Sequence, residues 1–408
     1  MGLYPKAELM AEYDVVVIGG GISGLSMAHF LADSGLKTGV LEKESRSGGA
    51  IHTFRGPGDF WMELGAHTAY NSYGRLLKLM DGPGLTAQGL SREKLPWRIW
   101  DAGEVVSIAS RLKLGEVALG LPRLFFMSRT GHTVAEYYGK VVGPRNYEAV
   151  VGPMLTAMSS QDPGAFPAPM LFKKRPRRKD VLRSFTLPGG LQSLTDALAG
   201  SARITVLNGV TASEVRAVER GHEIRSLDGL VIHTRGLALA TPNAVSARLL
   251  ESSYPDLARV LGRIRSHAFD SVGVVARREE VRLPRFAGLI ALNEPFYSVV
   301  SRDVVAHPDL RGFVFHFRPG VSAEHARNRI AEVLGLPVEK WVHHATRHNV
   351  LPSPDRNHPA LLAELDTWLK GLPLAISGNY FAGLALEDCV QRSESEALRL
   401  SGLLKAGA

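Results

Sequence analysis

The sequence predicts an α/β fold that opens on a parallel βαβ unit. Two observations carry this: a β-branched run leading into a glycine-rich turn and a helix, and an acidic residue closing the strand that follows. In YDVVVIGGGISGLSMAHFLADSGLKTGVLEKES, the residues Val15, Val16, Val17 and Ile18 read as a buried parallel strand. Gly19, Gly21 and Gly24 then give the pattern GxGxxG. Leu25, Ala28, Phe30 and Leu31 continue at helical spacing, and Gly35 ends the helix. KTGVLE is the second strand, with Glu42 at its end.

Each glycine in this pattern has a physical task. Gly19 permits the tight strand-to-helix turn, Gly21 lets the backbone approach a pyrophosphate, and Gly24 lets the helix pack closely on the strand. The helix N-terminus, at Ile22 and Ser23, offers free N–H groups and a positive dipole end to phosphates. Glu42 stands where a carboxylate accepts hydrogen bonds from ribose hydroxyls, with Lys43 beside it. The unit is therefore of Rossmann type and is expected to bind a dinucleotide.

A second glycine pair narrows the dinucleotide. EKESRSGGAIHT places Arg46, Gly48 and Gly49 just after Glu42, and resembles the E-x-x-x-R-x-G-G segment of the flavin amine oxidase and protoporphyrinogen oxidase superfamily. Arg46 can neutralise phosphate charge, and the glycines let another loop approach the cofactor. The resemblance continues in FWMELGAHTAY, whose Gly65, Ala66 and His67 match a segment running beneath the flavin. It continues at Val210, whose counterpart contacts adenine through its backbone, and at the Ala240-Thr241-Pro242 turn. SFTLPGGLQSLTDAL carries the matching Gly189-Gly190 turn. SGNYFAGLALEDC most resembles the protoporphyrinogen oxidase branch, through Gly378, Phe381, Gly383 to Leu386, Asp388 and Cys389. Asn379 stands where amine oxidases carry an acid, and AFDSVGVVARREEVRLP has no counterpart of their flavin-facing lysine. By the same resemblance Ala385 and Leu386 open a helix aimed at the flavin.

The resemblance implies an α/β fold in which a Rossmann-type FAD-binding domain is interleaved with a substrate domain of mixed sheet plus helices. The FAD-binding domain is expected at 1–80, 184–245 and 350–408, and the substrate domain at 81–183 and 246–349, with a helical part around 110–160. It implies non-covalent FAD and hydride transfer from a largely apolar substrate to flavin N5, as in a protoporphyrinogen oxidase. A flavin amine oxidase, a polyene or terpenoid desaturase, and a non-catalytic FAD-binding or chaperone protein are the alternatives. Oxygen or a quinone would reoxidise the flavin. Arg98, His67, Tyr380 and Phe381 are the candidates for contact with substrate; no residue is assigned as acid or base.

Composition is consistent with this expectation. The 408 residues suffice for two domains, and 45% hydrophobic with 22% charged is ordinary for a globular enzyme. The one cysteine, Cys389, excludes an intramolecular disulfide and reads as a packed residue rather than a flavin anchor. No metal site is expected: His343 and His344 are adjacent, and His316 lies in the alternating strand FVFHFRPG at a partly exposed position. No secretory signal or membrane-spanning run is read, the first fourteen residues being a polar lead-in, so a cytoplasmic location is expected. The net charge of +8 is modest. FKKRPRRKD, with Lys173, Lys174, Arg175, Arg177, Arg178, Lys179 and nearby Arg183, is expected either to be solvated or to give peripheral contact with the inner face of an anionic membrane. Nucleic-acid binding is not expected, since no stacking aromatics accompany the run.

Overall fold

The protein is described by a computed structural model covering residues 13–407, so the lead-in lies, up to residue 12, outside the described residues. The first strand, β1 (Tyr13–Ile18), leads into helix α1 (Ile22–Asp33) and strand β2 (Thr38–Glu42). Alternate β1 side chains enter two different cores, Val15 and Val17 on one face and Val16 and Ile18 on the other. A strand buried on both faces needs an unbroken apolar run, which is why the sequence here does not alternate.

β1 is flanked in parallel by β2 and by Val231–Leu239, and Thr205–Asn208 extends the sheet beyond β2. Val231–Leu239 pairs antiparallel with Gly221–Ser226 near its start and parallel with Leu374–Ile376 at its end. On one face α1 packs with the helix Leu386–Ala406; on the other lie Asn243–Leu250, Pro255–Gly262 and His358–Leu369. The sequence placed most of the 243–262 stretch in the substrate domain. Its Leu249, Leu250, Leu257 and Leu261 instead pack with Val16 and Leu239, so this layer runs on to Ile264 rather than stopping at 245.

The second sheet has seven strands, ordered His343–Pro352, Ser266–Arg277, Leu310–Phe317, Phe296–Ser301, Gly288–Ala291, Trp97–Asp101 and Glu104–Ser107. All its neighbours are antiparallel except Gly288–Ala291 with Trp97–Asp101. One face, with Val272, Val274, Phe313 and Phe315, packs on the helix Ala323–Leu334. The other receives Phe60, Met62 and Leu64 from the N-terminal part of the chain. Gly273 makes room for that approach: a Cβ there would lie 2.6 Å from the Met62 methyl. The helical part expected around 110–160 is present, from Leu114–Gly120 to Gly152–Ser159.

Candidate functional site

Two glycine turns face each other at the C-terminal end of β1. Gly19 adopts φ +109°, and Gly24 lies so close beneath it that a Cβ would come within 1.8 Å of the Gly19 carbonyl oxygen. Gly21 is different: its missing Cβ would make ordinary contacts with the opposite loop, the nearest with Gly49 Cα at 3.6 Å. Gly48 and Gly49 take positive φ, and the Gly48 amide donates to the Gly20 carbonyl at 2.8 Å. The result is a cradle with bare backbone on both walls, which suits a pyrophosphate. Glu42 is buried at its edge, accepting from the Gly20 amide at 2.7 Å and the Glu44 amide at 2.8 Å. Each oxygen keeps a second lone pair for a ribose hydroxyl. Lys43 beside it is exposed.

Arg46 does not reach freely into the cradle. Its Nη1 donates to the carbonyls of Ser47 and Ile51 at 3.1 and 3.2 Å, which braces the loop holding Gly48 and Gly49. A second arginine, missed in the sequence, holds the same loop from the other sheet. Arg347 Nη2 donates to the Gly49 carbonyl at 2.7 Å, and Nη1 bonds His52 Nδ1. Its buried Nε has no partner among the described residues. No local signal marks Arg347, which lies on a strand almost 300 residues from the loop it grips.

The Val210 amide donates to the Glu42 carbonyl at 2.9 Å. Thr241 lies against Gly19 and shares a 2.7 Å hydrogen bond with Ser246. Ala385 is the extended N-cap of Leu386–Ala406, so the helix opens where the resemblance expected it. Gly378 is buried under the Tyr380 ring, and Asn379 is half-buried.

Gly65, Ala66 and His67 run half-buried over the Ala50–His52 loop; a Cβ on Gly65 would lie 2.0 Å from the Ala50 carbonyl oxygen. The preceding Glu63 accepts from Thr53 Oγ1 at 2.7 Å and the Leu191 amide at 2.6 Å, and burial pushes its pKa up to about 7. His67 lies deep, though part of it still opens outward; burial, then the charge of Arg92, pushes it down to about 4. His316 was expected at a partly exposed position and is instead buried, pushed down to about 3 by burial and then by His67. His316 Nδ1 bonds Ser271 Oγ at 2.8 Å, and Asn349 Nδ2 donates to that same oxygen at 2.9 Å. Ser271 is in register with His316 on one side and Arg347 on the other, so a polar row crosses three strands. Glu63, His67, Arg92, Thr186 and Arg302 line a cavity of about 30 Å³ nearby.

Several expected site residues lie elsewhere. Arg98 sits one residue from Ile99, which faces Ala157, and two from Trp100's partner face, so it shares the side of Trp100 and Leu289. That is the face covered by Ala323–Leu334, opposite His316. Tyr380 and Phe381 are core residues at 1% and 5% exposure, their ring centroids 4.9 Å apart, and Arg392 covers Phe381 at 3.9 Å. Neither ring faces a cleft. Cys389 is packed in the core, where burial pushes its thiol up to about 12. The basic run is only partly free. Lys173 and Arg175 bond buried Asp388 at 3.0 and 2.7 Å, and Arg178 pairs with Asp81 and Asp180. No cluster of His, Cys, Asp or Glu that could hold a metal occurs among the described residues, and none of their helices is long and apolar enough to cross a membrane.

The parallel sheet, the paired glycine cradle and its buried acid define a Rossmann-type dinucleotide-binding fold joined to a second, mixed-sheet unit. Residues 17–82 match the NAD(P)-binding Rossmann-like domain family. A flavin-containing amine oxidase of Danio rerio is 42% identical over 82 residues, 20% of this chain but 16% of that enzyme. The protoporphyrinogen oxidase of Bos taurus is 23% identical in an alignment covering 95% of this chain and 98% of that enzyme. A provisionally assigned protoporphyrinogen oxidase of Exiguobacterium superposes with a TM-score of 0.76 at 16% identity, covering 96% of this chain and 99% of that one. The chain is thus similar to protoporphyrinogen oxidase along 95% of its length and shares the fold of that solved structure.

Proposed function

We propose that this chain is an FAD-dependent oxidoreductase that dehydrogenates a small, largely apolar organic molecule, in the manner of a protoporphyrinogen oxidase. The observation that carries the reading is the double cradle: Gly21 facing Gly49 across bare backbone, with buried Glu42 at its edge. A dinucleotide fits it, because the two glycines let the loops meet backbone to backbone, a Cβ on Gly49 falling 3.0 Å from Gly21 Cα, which leaves amides rather than side chains at the helix N-terminus. Bound non-covalently there, FAD would accept a hydride from a substrate carbon at its N5. The chain's own part is to bind and orient. Arg46 and Arg347 hold the Gly48–Gly49 loop in place. Burial keeps His67 and His316 neutral at pH 7, and Ser271 and Asn349 fix the His316 ring. Oxygen or a quinone would then reoxidise the flavin.

Amine oxidation is the second reading, and the 42% identity to an amine oxidase favours it over only 82 residues. The deciding experiment is anaerobic mixing of the purified yellow protein with porphyrinogens, amines and polyenes in turn. Porphyrinogens are expected to bleach the flavin, and acid precipitation to release all of it. Rapid bleaching by an amine alone would reverse the order of the two readings. A flavin bleached by none of them would point to a binding protein without redox catalysis, and a colourless protein that cannot be reconstituted with FAD would overturn the proposal.

A further inference from the structure

We propose that the cavity between Glu63, Arg92, Thr186 and Arg302 is a binding site for one small monovalent anion of the halide class. Its walls come from distant parts of the chain. The strands Trp61–Glu63 and Ser184–Thr186 supply one side, and the turn Arg302–Val305 with Val314 of the second sheet supplies the other. Two of the lining residues carry a buried donor with no partner among the described residues. One is the Thr186 hydroxyl, on a residue only 1% exposed; the other is Arg302 Nη1. Buried donors are costly to leave unmade, so two of them on one cavity call for an acceptor inside it. Arg302 is fixed in place for this task. Its Nε donates to the Trp61 carbonyl at 2.8 Å, and its guanidinium lies 4.1 Å from the centre of the Trp61 ring.

A water molecule could serve both donors; charge selects an anion. Arg92 and Arg302 are both half-buried, and the acids near them are engaged elsewhere. Glu63 gives one oxygen to Thr53 Oγ1 and the other to the Leu191 amide. Asp303 is held by Arg311 at 2.6 and 2.9 Å, and Glu93 pairs with Arg285. Arg92 Nη1 reaches the Thr68 hydroxyl, which is a neutral acceptor. Neither Arg92 nor Arg302 forms an ion pair among the described residues. An uncompensated charge in a weakly polar interior is more costly than an unmade hydrogen bond, and a neutral water relieves only the second. A monovalent anion relieves both. The cavity, of about 30 Å³, has room for a halide ion but not for sulfate or an organic carboxylate. The site depends on packing between distant segments and not on the reaction proposed above, so a chain bleached by no substrate would still hold the ion.

The purified full chain with its cofactor is to be melted in rising sodium chloride, with sodium sulfate at matched ionic strength as the control. Wild type is expected to gain roughly 1–3 °C from chloride in a saturating manner. Thr186→Val keeps the shape of the side chain and removes the hydroxyl, so it should lose the saturating gain. Sulfate acts by exclusion from the surface and should shift both proteins alike. Arg302→Lys, which keeps a charge but removes the guanidinium fork, should weaken the apparent chloride affinity roughly tenfold or more. Crystals soaked in sodium bromide should show an anomalous peak within hydrogen-bonding distance of Thr186 Oγ1 and Arg302 Nη1. The same chloride response in wild type and Thr186→Val would overturn the proposal, as would a bromide-soaked crystal with no anomalous peak in the cavity. Should Thr186→Val fail to fold, the bromide crystal decides alone.

Discussion

Gly21 and Gly24 lie on one turn and answer an added methyl group differently. At Gly24 it would enter the Gly19 carbonyl, at 1.8 Å, and neither backbone has room to give. At Gly21 it would make an ordinary contact, 3.6 Å from Gly49 Cα, at φ −75°. Gly24→Ala is therefore expected to prevent folding, read as loss of soluble protein. Gly21→Ala should fold with an unchanged melting temperature yet bind FAD poorly, which a titration of apoprotein with FAD measures. Equal flavin occupancy in Gly21→Ala and wild type would remove the pyrophosphate from this cradle. The close packing of Gly24 on Gly19 was legible in the sequence because it depends on a neighbour in the same turn. Arg347 was not, since its contact with Gly49 exists only once the second sheet has docked. Arg98 misled for a related reason: strand alternation says that 98 and 99 face opposite ways, but not which way the cleft lies.

The helix Leu386–Ala406 carries two buried acids in its first turn, Glu387 and Asp388. Negative charge suits a helix N-terminus in general, but here it also requires cationic or amide partners to offset burial. Glu387 accepts from the amides of Arg75 and Leu76, at 3.1 and 3.0 Å. Asp388 takes Lys173 and Arg175, so two members of an apparently solvated basic run are clamped to the helix Leu386–Ala406. The pairing spans more than 200 residues, and nothing local in FKKRPRRKD distinguishes its clamped members from its free ones. Asp388→Ala takes the carboxylate from two part-buried cations, leaving Lys173 the Ala382 carbonyl and Arg175 the Tyr73 ring, a loss of about 2 kcal/mol. Urea denaturation should register it as a lower midpoint, with looser FAD binding as the second readout. An unchanged midpoint would mean that solvent serves Lys173 and Arg175 equally well.

Across the whole molecule, buried histidines set the response to acid. His52, His67 and His222 are pushed down to about 4 and His316 to about 3, all chiefly by burial. The unfolded chain binds these protons from about pH 6.5 downward and the folded one does not. Stability from this source is therefore complete above pH 6.5 and is lost progressively as pH falls toward 4. Glu63 acts in the opposite sense: raised to about 7, it favours the folded state at low pH and loses that contribution as pH rises from about 4.5 to 7. Urea midpoints should still fall between pH 7 and 5, because burial also lowers His29, His267 and His358, and only Glu387 joins Glu63 on the other side. Glu63→Gln should steepen that fall, and a flat profile would contradict the burial of the histidines. The architecture itself was partly legible. The βαβ unit, the helical region and a mixed second sheet follow from local periodicity and resemblance. The strand order of that sheet, and the docking of residues 243–262 on the first one, depend on long-range packing that no local pattern encodes.

α1 is completed only by the far end of the chain. Its Leu25 shares a core with Ala397 and Leu400, and Ser393 Oγ donates to the Ser23 carbonyl at 2.8 Å. During synthesis, roughly 350 residues must emerge between these two helices, which at ribosomal speeds takes roughly 20–70 s. Throughout that interval the nascent chain carries an apolar helix with no cover and a phosphate turn with one wall of its surroundings missing. Cofactor capture then belongs to the moment of release from the ribosome, and the growing chain is a client for chaperones until then. Ribosome-stalled chains ending before Leu386 should be cut by protease within α1, while released chains resist.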